Sequence, residues 1–341
     1  MKLDDGSRTE FDNAQTISFS GENPKCFVVQ KPRPAGRPSG DSGWSGTDLL
    51  VHDLSSGHHI NIGNVKSFSF NKAGNLLALV IDAEGKSGNG VQLFHVNESR
   101  ITTLVQGKAT YGSLSWTREG DALCLLKTVK DKKYENAINH VIAFTNVGGS
   151  GQKEYVIDPV KVAAIPEDMT ISPNRSPSWD DDRSMVLFGI HELKAKEAPK
   201  KPDPTAKPTP PSNPGEVADL VVWHWQDKQM QSMQQKREAI TKRRFHLCVH
   251  HVADQKTFRL GDDEIPTVSV SRPYKFAIGS DNRKYERMGN LDGRRYRDIY
   301  SINMKTGKRK LLLEKARYAL GVGPSGIHYL YYDDGNRKSV V

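Results

Sequence analysis

The chain is poor in cysteine and has no long apolar run, and each shortage removes a class of protein. Its 341 residues hold only Cys26, Cys124 and Cys248, an odd number, each inside an apolar stretch. An odd count in apolar surroundings predicts buried free thiols rather than a disulfide framework. No run of about 18 apolar residues occurs, the least that a membrane-spanning helix needs. The opening Met1–Ser7 is polar and lacks the apolar core of a signal peptide, so an exported form would need a signal lying upstream or already removed.

Catalytic motifs are missing too. The Gly/Ser-rich stretches Gly40–Gly46 and Gly148–Gly151 do not match the G-x-S-x-G elbow of α/β-hydrolases and do not precede a helix. No H-E-x-x-H, C-x-x-C, dinucleotide fingerprint or P-loop is present, so no cofactor is expected. Asp262-Asp-Glu264 falls in a turn, where Asp is expected for turn chemistry alone. No residue of this chain is assigned a catalytic, cofactor-binding or metal-binding role.

What is present is repetition. Phe19-Ser-Gly-Glu-Asn23, Phe70-Asn-Lys-Ala-Gly74, Trp116-Thr-Arg-Glu-Gly120, Trp179-Asp-Asp-Asp-Arg183, Val270-Ser-Arg-Pro-Tyr274 and Val322-Gly-Pro-Ser-Gly326 are variants of one phrase. Each joins an aromatic residue or Val to a turn, and an apolar run follows. The anchors lie about 51, 46, 63, 91 and 52 residues apart, near the period of stacked supersecondary repeats. In the second unit the runs are Val65–Phe70, Leu76–Ile81, Val91–Val96 and Ile101–Val105. Short β-branched and apolar runs separated by Gly, Asn, Asp and Ser predict antiparallel strands, and four per unit make the blade of a β-propeller.

The fold class is therefore all-β: a propeller of about five complete blades, over 17–62, 65–105, 111–157, roughly 178–260 and 267–313, plus a partial one. The partial blade starts at Tyr318–Val322, continues through His328–Asp333 and stops at Val341. It would leave Tyr329–Tyr332 as an edge strand with nothing to pair. The expectation is that the chain is the front part of a longer protein, with 1–16 an N-terminal extension and 17–341 a propeller incomplete at its C-terminus. Gly74, Gly120 and Gly326 should take positive φ in tight turns, a conformation that Asn23 also tolerates. Arg183 and Tyr274 break that pattern and predict turns built differently.

Two insertions interrupt the repeat. Lys194–Pro214 is a Pro/Lys tract that predicts an extended loop in the fourth blade. The segment Gln226–Arg244 is the single expected helix, rich in Gln, Lys, Met, Glu and Ala. Between them, Trp223 and Trp225 share one face of a strand, placed to pack between blades or to line a pocket.

The formal charge of +9 raises the question of nucleic acid. The one dense basic cluster, Lys236-Arg237 with Lys242-Arg243-Arg244, has no interleaved aromatics, so a solvated helix face is expected there. Along Phe245–His251, His246, Cys248 and His250 share a strand face in a pattern that zinc accepts. No carboxylate at a fixed spacing offers a fourth ligand, and an ordinary blade strand is the expectation.

The phrases Phe68-Ser-Phe-Asn-Lys-Ala-Gly74 and Leu114-Ser-Trp-Thr-Arg-Glu-Gly-Asp121, with Ala218-Asp-Leu-Val-Val-Trp-His-Trp-Gln-Asp227, resemble the N-terminal propeller of bacterial serine peptidases of the prolyl oligopeptidase family. The resemblance runs from about residue 15 to the end. It implies a non-catalytic module that gates and selects peptide substrates for an α/β-hydrolase domain absent from this chain. It also implies a parent that is periplasmic or cytoplasmic. The dipeptidyl-peptidase branch binds the substrate amine through a Glu pair on a helical insertion. Here that segment has one isolated Glu238, so the role is not carried over. TolB-like and WD40-like propellers share the blade phrases, and the alternative is a self-standing propeller that binds a protein partner. Nucleic acid is the third reading.

Overall fold

The computed structural model describes residues 8, 10–22, 24–36, 43–196 and 231–341. Asn23, the tract over 197–214 and the Trp223/Trp225 pair lie outside them. The chain divides into two compact units. The first ends at Asp131 and resumes over Ala137–Ile190 and Cys248–Thr257; the second holds Lys132–Asn136, the described part of 191–247, and Phe258–Val341.

The architecture is all-β, built of antiparallel propeller-type blades. β1 (Thr16–Phe19), β2 (Cys26–Gln30), β3 (Thr47–Asp53), β4 (His59–Phe70), β5 (Leu76–Ile81), β6 (Gly90–His95) and β7 (Arg100–Gln106) pair in sequence order. The long β4 serves two blades. Its first half, His59–Ile62, pairs with β3, and its second half, Val65–Phe70, pairs with β5. The break falls at Asn64, whose φ is 59°. β8 (Thr110–Trp116), β9 (Leu123–Val129), β10 (Ile138–Thr145) and β11 (Lys153–Ile157) make a separate four-stranded sheet. β12 (Met169–Ile171), β13 (Ser178–Trp179), β14 (Met185–Glu192), β15 (His246–His251) and β16 (Lys256–Arg259) form the next.

In the second unit β17 (Thr267–Val270), β18 (Phe276–Asp281), β19 (Arg297–Asn303) and β20 (Arg309–Ala316) form another four-stranded sheet. The last sheet holds β21 (Tyr318–Val322), β22 (Tyr329–Asp333) and β23 (Lys338–Val340). Here the sequence reading is corrected. Tyr329–Tyr332 is not an unpaired edge but lies in the central strand, because Lys338–Val340 folds back onto Tyr331–Asp333.

The first unit's core explains why its strands read as continuous apolar runs. Side chains alternate between the faces of a strand. Leu77, Leu79 and Ile81 of β5 enter a cluster with Val28, Leu49 and Val51 of the first blade. Leu76, Ala78 and Val80 face the other way, into a cluster with Leu123, Leu125, Ile142 and Phe144 of the third. On the far face of that third sheet, Cys124 and Leu126 pack with Trp179, Val186, Phe188 and Cys248. A sheet buried on both faces has no polar side to show. Cys26, Cys124 and Cys248 are buried free thiols within these clusters.

The recurring phrase turns out to be a joint between blades as well as a turn. Gly74, Gly120 and Gly326 have φ of 69°, 77° and 70°. Arg183 and Tyr274, expected to differ, take the same left-handed conformation at 57° and 63°. The turns are closed alike: the N–H of Gly74 reaches Asn71 O at 3.0 Å, that of Gly120 reaches Thr117 O at 3.0 Å, and that of Tyr274 reaches Ser271 O at 3.0 Å. Residue type varies while geometry holds across the five phrases whose turn residue is described.

Glycine is needed for a second reason, close approach. A Cβ on Gly74 would overlap the carbonyl oxygen of Ser20, in the turn of the preceding blade. One on Gly120 would lie 3.1 Å from the backbone N of Lys72. Arg183 instead reaches back with its side chain, and its guanidinium sits 2.7 Å from Asp121. The tryptophan anchors span the same gap: Trp116 Nε1 donates to Ser69 O at 3.1 Å and Trp179 Nε1 to Leu123 O at 3.4 Å. After Phe70, Trp116 and Trp179 the next residue caps its own hairpin. Asn71 Oδ1 accepts from the N–H of Leu76, Thr117 Oγ1 from Ala122, and Asp180 Oδ1 from Met185.

Among the described residues two α-helices are present where one was expected. α1 (Gln231–Lys242) lies in the anticipated segment, and α2 (Glu286–Asp292) is new. Its seven residues show no helical period in the sequence. It ends at Gly293, at φ 73°, whose N–H bonds Gly289 O, a glycine stop.

Candidate binding cleft

A concavity of about 410 Å³ lies within the second unit. Met233 and Arg237 of α1 form one wall. Thr267 of β17 and Ser280 of β18, directly paired in the sheet, supply hydroxyls. The β18–β19 connection contributes Asn282, Tyr285, Glu286, Gly289, Gly293, Arg295 and Tyr296, and β19 itself contributes Arg297.

A buried carboxylate organises this connection. Asp298 is fully buried, and its Oδ1 accepts from the Tyr285 hydroxyl at 2.6 Å and the Lys315 N–H at 3.0 Å. Lys284 Nζ donates to Oδ2 at 2.9 Å. Burial alone would raise the Asp298 pKa. The Tyr285 hydroxyl, the Lys315 N–H and the Lys284 ammonium outweigh it and hold the carboxyl below its ordinary value. The same burial, with the hydrogen bond to Asp298, pushes Tyr285 up to about 12, so the phenol stays neutral. Tyr285 meets Tyr296 edge-on, centroids 6.1 Å apart and planes inclined by 62°, and Lys315 Nζ lies 5.2 Å from the Tyr296 ring centroid. The two rings form a fixed corner. Behind them Asp281 holds Arg283 through Nε at 2.8 Å and Nη2 at 2.8 Å.

The lining carries three guanidinium groups against one carboxylate, Glu286. Among the described residues Arg237, Arg295 and Arg297 have no carboxylate partner, whereas Arg283, Arg309 and Arg317 are each ion-paired. Guanidinium groups offer planar forks of donors suited to carboxylates or phosphates. Hydroxyls, an amide and guanidiniums meet here without an imidazole or a thiol, which is a set for binding an anion.

The residues weighed from sequence go elsewhere, with one exception. The His246, Cys248 and His250 side chains do not form a metal cluster, and no group of three His, Cys, Asp or Glu that could hold an ion comes together among the described residues. His250 Nδ1 pairs with Thr257 Oγ1 at 2.8 Å, and His246 Nε2 lies 3.5 Å from Asp263. Burial, foremost, keeps both imidazoles below their ordinary pKa. Asp262 accepts from the N–H groups of Glu264 and Ile265 at 2.9 Å, the turn chemistry expected, and also binds Arg309. Glu238 and Lys242 pair along α1 at 2.6 Å. Arg237 is the exception: one member of the basic cluster reaches the cleft, where it joins the tyrosines that its own helix lacks. The contribution of β18–β19 was not read from sequence. The one signal available was the density of Arg and Tyr in Arg294-Arg-Tyr-Arg297. No helix of the described residues is long and apolar enough to cross a membrane.

No family model and no curated protein matches the chain. Solved structures resemble it at about a tenth identity. The β-propeller domain of the trilobed protease from Pyrococcus furiosus is 9% identical with a TM-score of 0.41, over 94% of this chain and 79% of that one. Porphyromonas gingivalis dipeptidyl peptidase 4 is 10% identical with a TM-score of 0.41, over 92% and 42%. The tricorn protease is 10% identical with a TM-score of 0.37, over 91% of this chain but only 27% of its own length. Likeness of this degree assigns no activity to the chain.

Proposed function

We propose that the chain is the non-catalytic, substrate-selecting module of a prolyl oligopeptidase-like serine peptidase, gating extended peptides for a separate α/β-hydrolase domain. The observation that supports this reading is the repeated phrase. The residues that resemble those peptidases, Phe68–Gly74 and Leu114–Asp121, are the ones that form the blade joints. In this reading 17–341 is the selecting propeller, 1–16 an extension, and 194–214 and 226–244 are insertions within it. The stacked sheets of the first unit supply stiffness, because both faces are spent on the core, and selection falls to loops and insertions. The mechanism is steric. Neighbouring strands lie about 5 Å apart and stacked sheets about 10 Å, so a passage fit for one extended chain rejects a folded domain, whose radius of gyration is about 13 Å at 100 residues.

The test is binding and cleavage with the chain alone. An unstructured labelled peptide and a folded domain of similar composition are titrated, and each is followed for hydrolysis. Binding of the peptide, exclusion of the folded domain and no cleavage are expected. Equal binding of both, or binding of neither, removes the gating role, and preference for the folded domain points to a protein-partner propeller.

A further inference from the structure

Arg237 of α1, Arg295 just before β19 and Arg297 at its start all line one concavity, with a single carboxylate among them. Guanidinium groups that line a shared cleft repel one another and gain from an incoming anion. The surroundings are shaped as well as charged. Tyr285 is pinned by the buried Asp298 at 2.6 Å, and Tyr296 is pinned between Tyr285 and Lys315. Rings fixed before binding cost little entropy when a ligand packs on them.

The geometry points to an extended peptide rather than a nucleotide. The rings stand at 62° and make a corner, not the parallel slot that takes a base between two faces. Gly289 and Gly293 line the cleft but belong to no phosphate-cradling G-x-G-x-x-G or P-loop sequence, and the side-chain donors besides the arginines are the Thr267, Ser280 and tyrosine hydroxyls and the Asn282 amide. We propose that this cleft is a selection site for acidic side chains: an extended peptide bearing Asp or Glu places its carboxylates on Arg237, Arg295 and Arg297 and its apolar atoms against the Tyr285–Tyr296 corner. This rests on the peptide-selecting reading above and adds a preference to it.

The test uses the whole chain and three labelled probes followed by anisotropy: a short unstructured peptide with two Glu residues, the same peptide with Gln in their place, and a single-stranded oligodeoxynucleotide of similar length. The Glu peptide should bind about tenfold tighter than its Gln counterpart, about the worth of one charge-assisted hydrogen bond. That margin should narrow as salt is raised. The double variant R237A/R295A should bind both peptides alike, while R237K/R295K, which keeps the charge, should retain most of the preference. Unchanged melting temperatures in both variants would place the loss in the cleft. Equal binding of the two peptides by the wild type, or a preference that survives R237A/R295A, overturns the acidic-site proposal and leaves peptide gating standing. If neither peptide binds, gating and the acidic site fall together, and tight oligonucleotide binding would then assign the cleft to nucleic acid.

Discussion

β5 and β20 are both ordinary blade strands by sequence, yet every residue of Leu76–Ile81 is buried while most of Arg309–Ala316 is exposed. The difference lies in what each face meets. β5 has one packed sheet on each side, so its odd and even residues enter two different cores. In the sheet of β17–β20, Ala277, Ile299 and Ile302 are buried, but Leu311 and Leu312 remain 45% and 39% exposed. Hydrogen-bonded pairing defines a blade, and stacking stabilises it.

The buried carboxylates differ in the same way. In the first unit Asp82 is held by neutral donors, Ser45 Oγ at 2.6 Å and Asn89 Nδ2 at 3.1 Å. In the second, Asp281 and Asp298 draw on Arg283 and Lys284. One unit rests on apolar stacking between sheets, the other more heavily on charge.

The largest expected effect is on that stacking. Phe144→Ala empties a fully buried site between two sheets and should cost about 3–5 kcal/mol in urea unfolding. Leu312→Ala, at 39% exposure, should cost less than about 1 kcal/mol. Similar losses at the two sites would erase the contrast between the units.

The blade joint comes next. Gly74→Ala must tolerate φ of 69° and overlap with Ser20 O, whereas Gly57→Ala faces only its φ of 74°, with open space around the new methyl. Left-handed strain alone is about 1–2 kcal/mol, and overpacking adds about 1–3 kcal/mol. The urea midpoint of Gly74→Ala should therefore fall clearly further than that of Gly57→Ala. Matching midpoints would mean that the turn, not the joint, is what requires glycine.

Asp298 tests the charged unit. Its folded pKa lies below the unfolded value, which is about 3.9 for Asp. Its contribution is complete above the unfolded value and is lost as pH falls through the folded one. Asp298→Asn should lower stability at pH 7 by about 1.5–3 kcal/mol, as for loss of a charged acceptor. Melting curves of variant and wild type should converge as pH drops below about 4. A gap that stays constant down to pH 3 would show that packing, not charge, is lost.

The smallest effect is expected at Arg183. Arg183→Gly relieves a φ of 57° but gives up the ion pair with Asp121, whose partners are 33% and 36% exposed. Relief of about 1–2 kcal/mol of left-handed strain is offset by the about 0.5–1 kcal/mol of extra chain entropy that Gly loses on folding and by loss of a half-exposed pair worth about 1 kcal/mol or less, so thermal melting should hardly change. A marked loss would make that pair a true link between blades.

Much of the fold was legible because each blade repeats the same local chemistry. Anchor, cap, turn and apolar run recur in Phe70–Leu76 and Trp116–Leu123, so strands and turns could be placed by eye. The turns at Arg183 and Tyr274 defied the residue rule, since neighbouring structure imposed the left-handed conformation on side chains that disfavour it. The helix over Glu286–Asp292 was hidden by its length, too short for a period to show. Tyr329–Tyr332 was misplaced as an edge because Lys338–Val340 has little to mark it as a strand. The cleft was the least legible part. Arg237 and Tyr296 are far apart in the chain, and nothing local signals that they share a wall.

By itself the sequence determined the all-β class, the rhythm of the blades and the burial of three thiols, because these follow from contacts within a few residues or from side-chain alternation along one strand. The tertiary structure alone decided which strands are buried on both faces, that the glycines of the phrase serve the joints between blades, and that three arginines meet two tyrosines around one cavity. Those outcomes depend on contacts between distant segments, and a solvent-exposed arginine carries the same local signature whether or not a cleft forms around it.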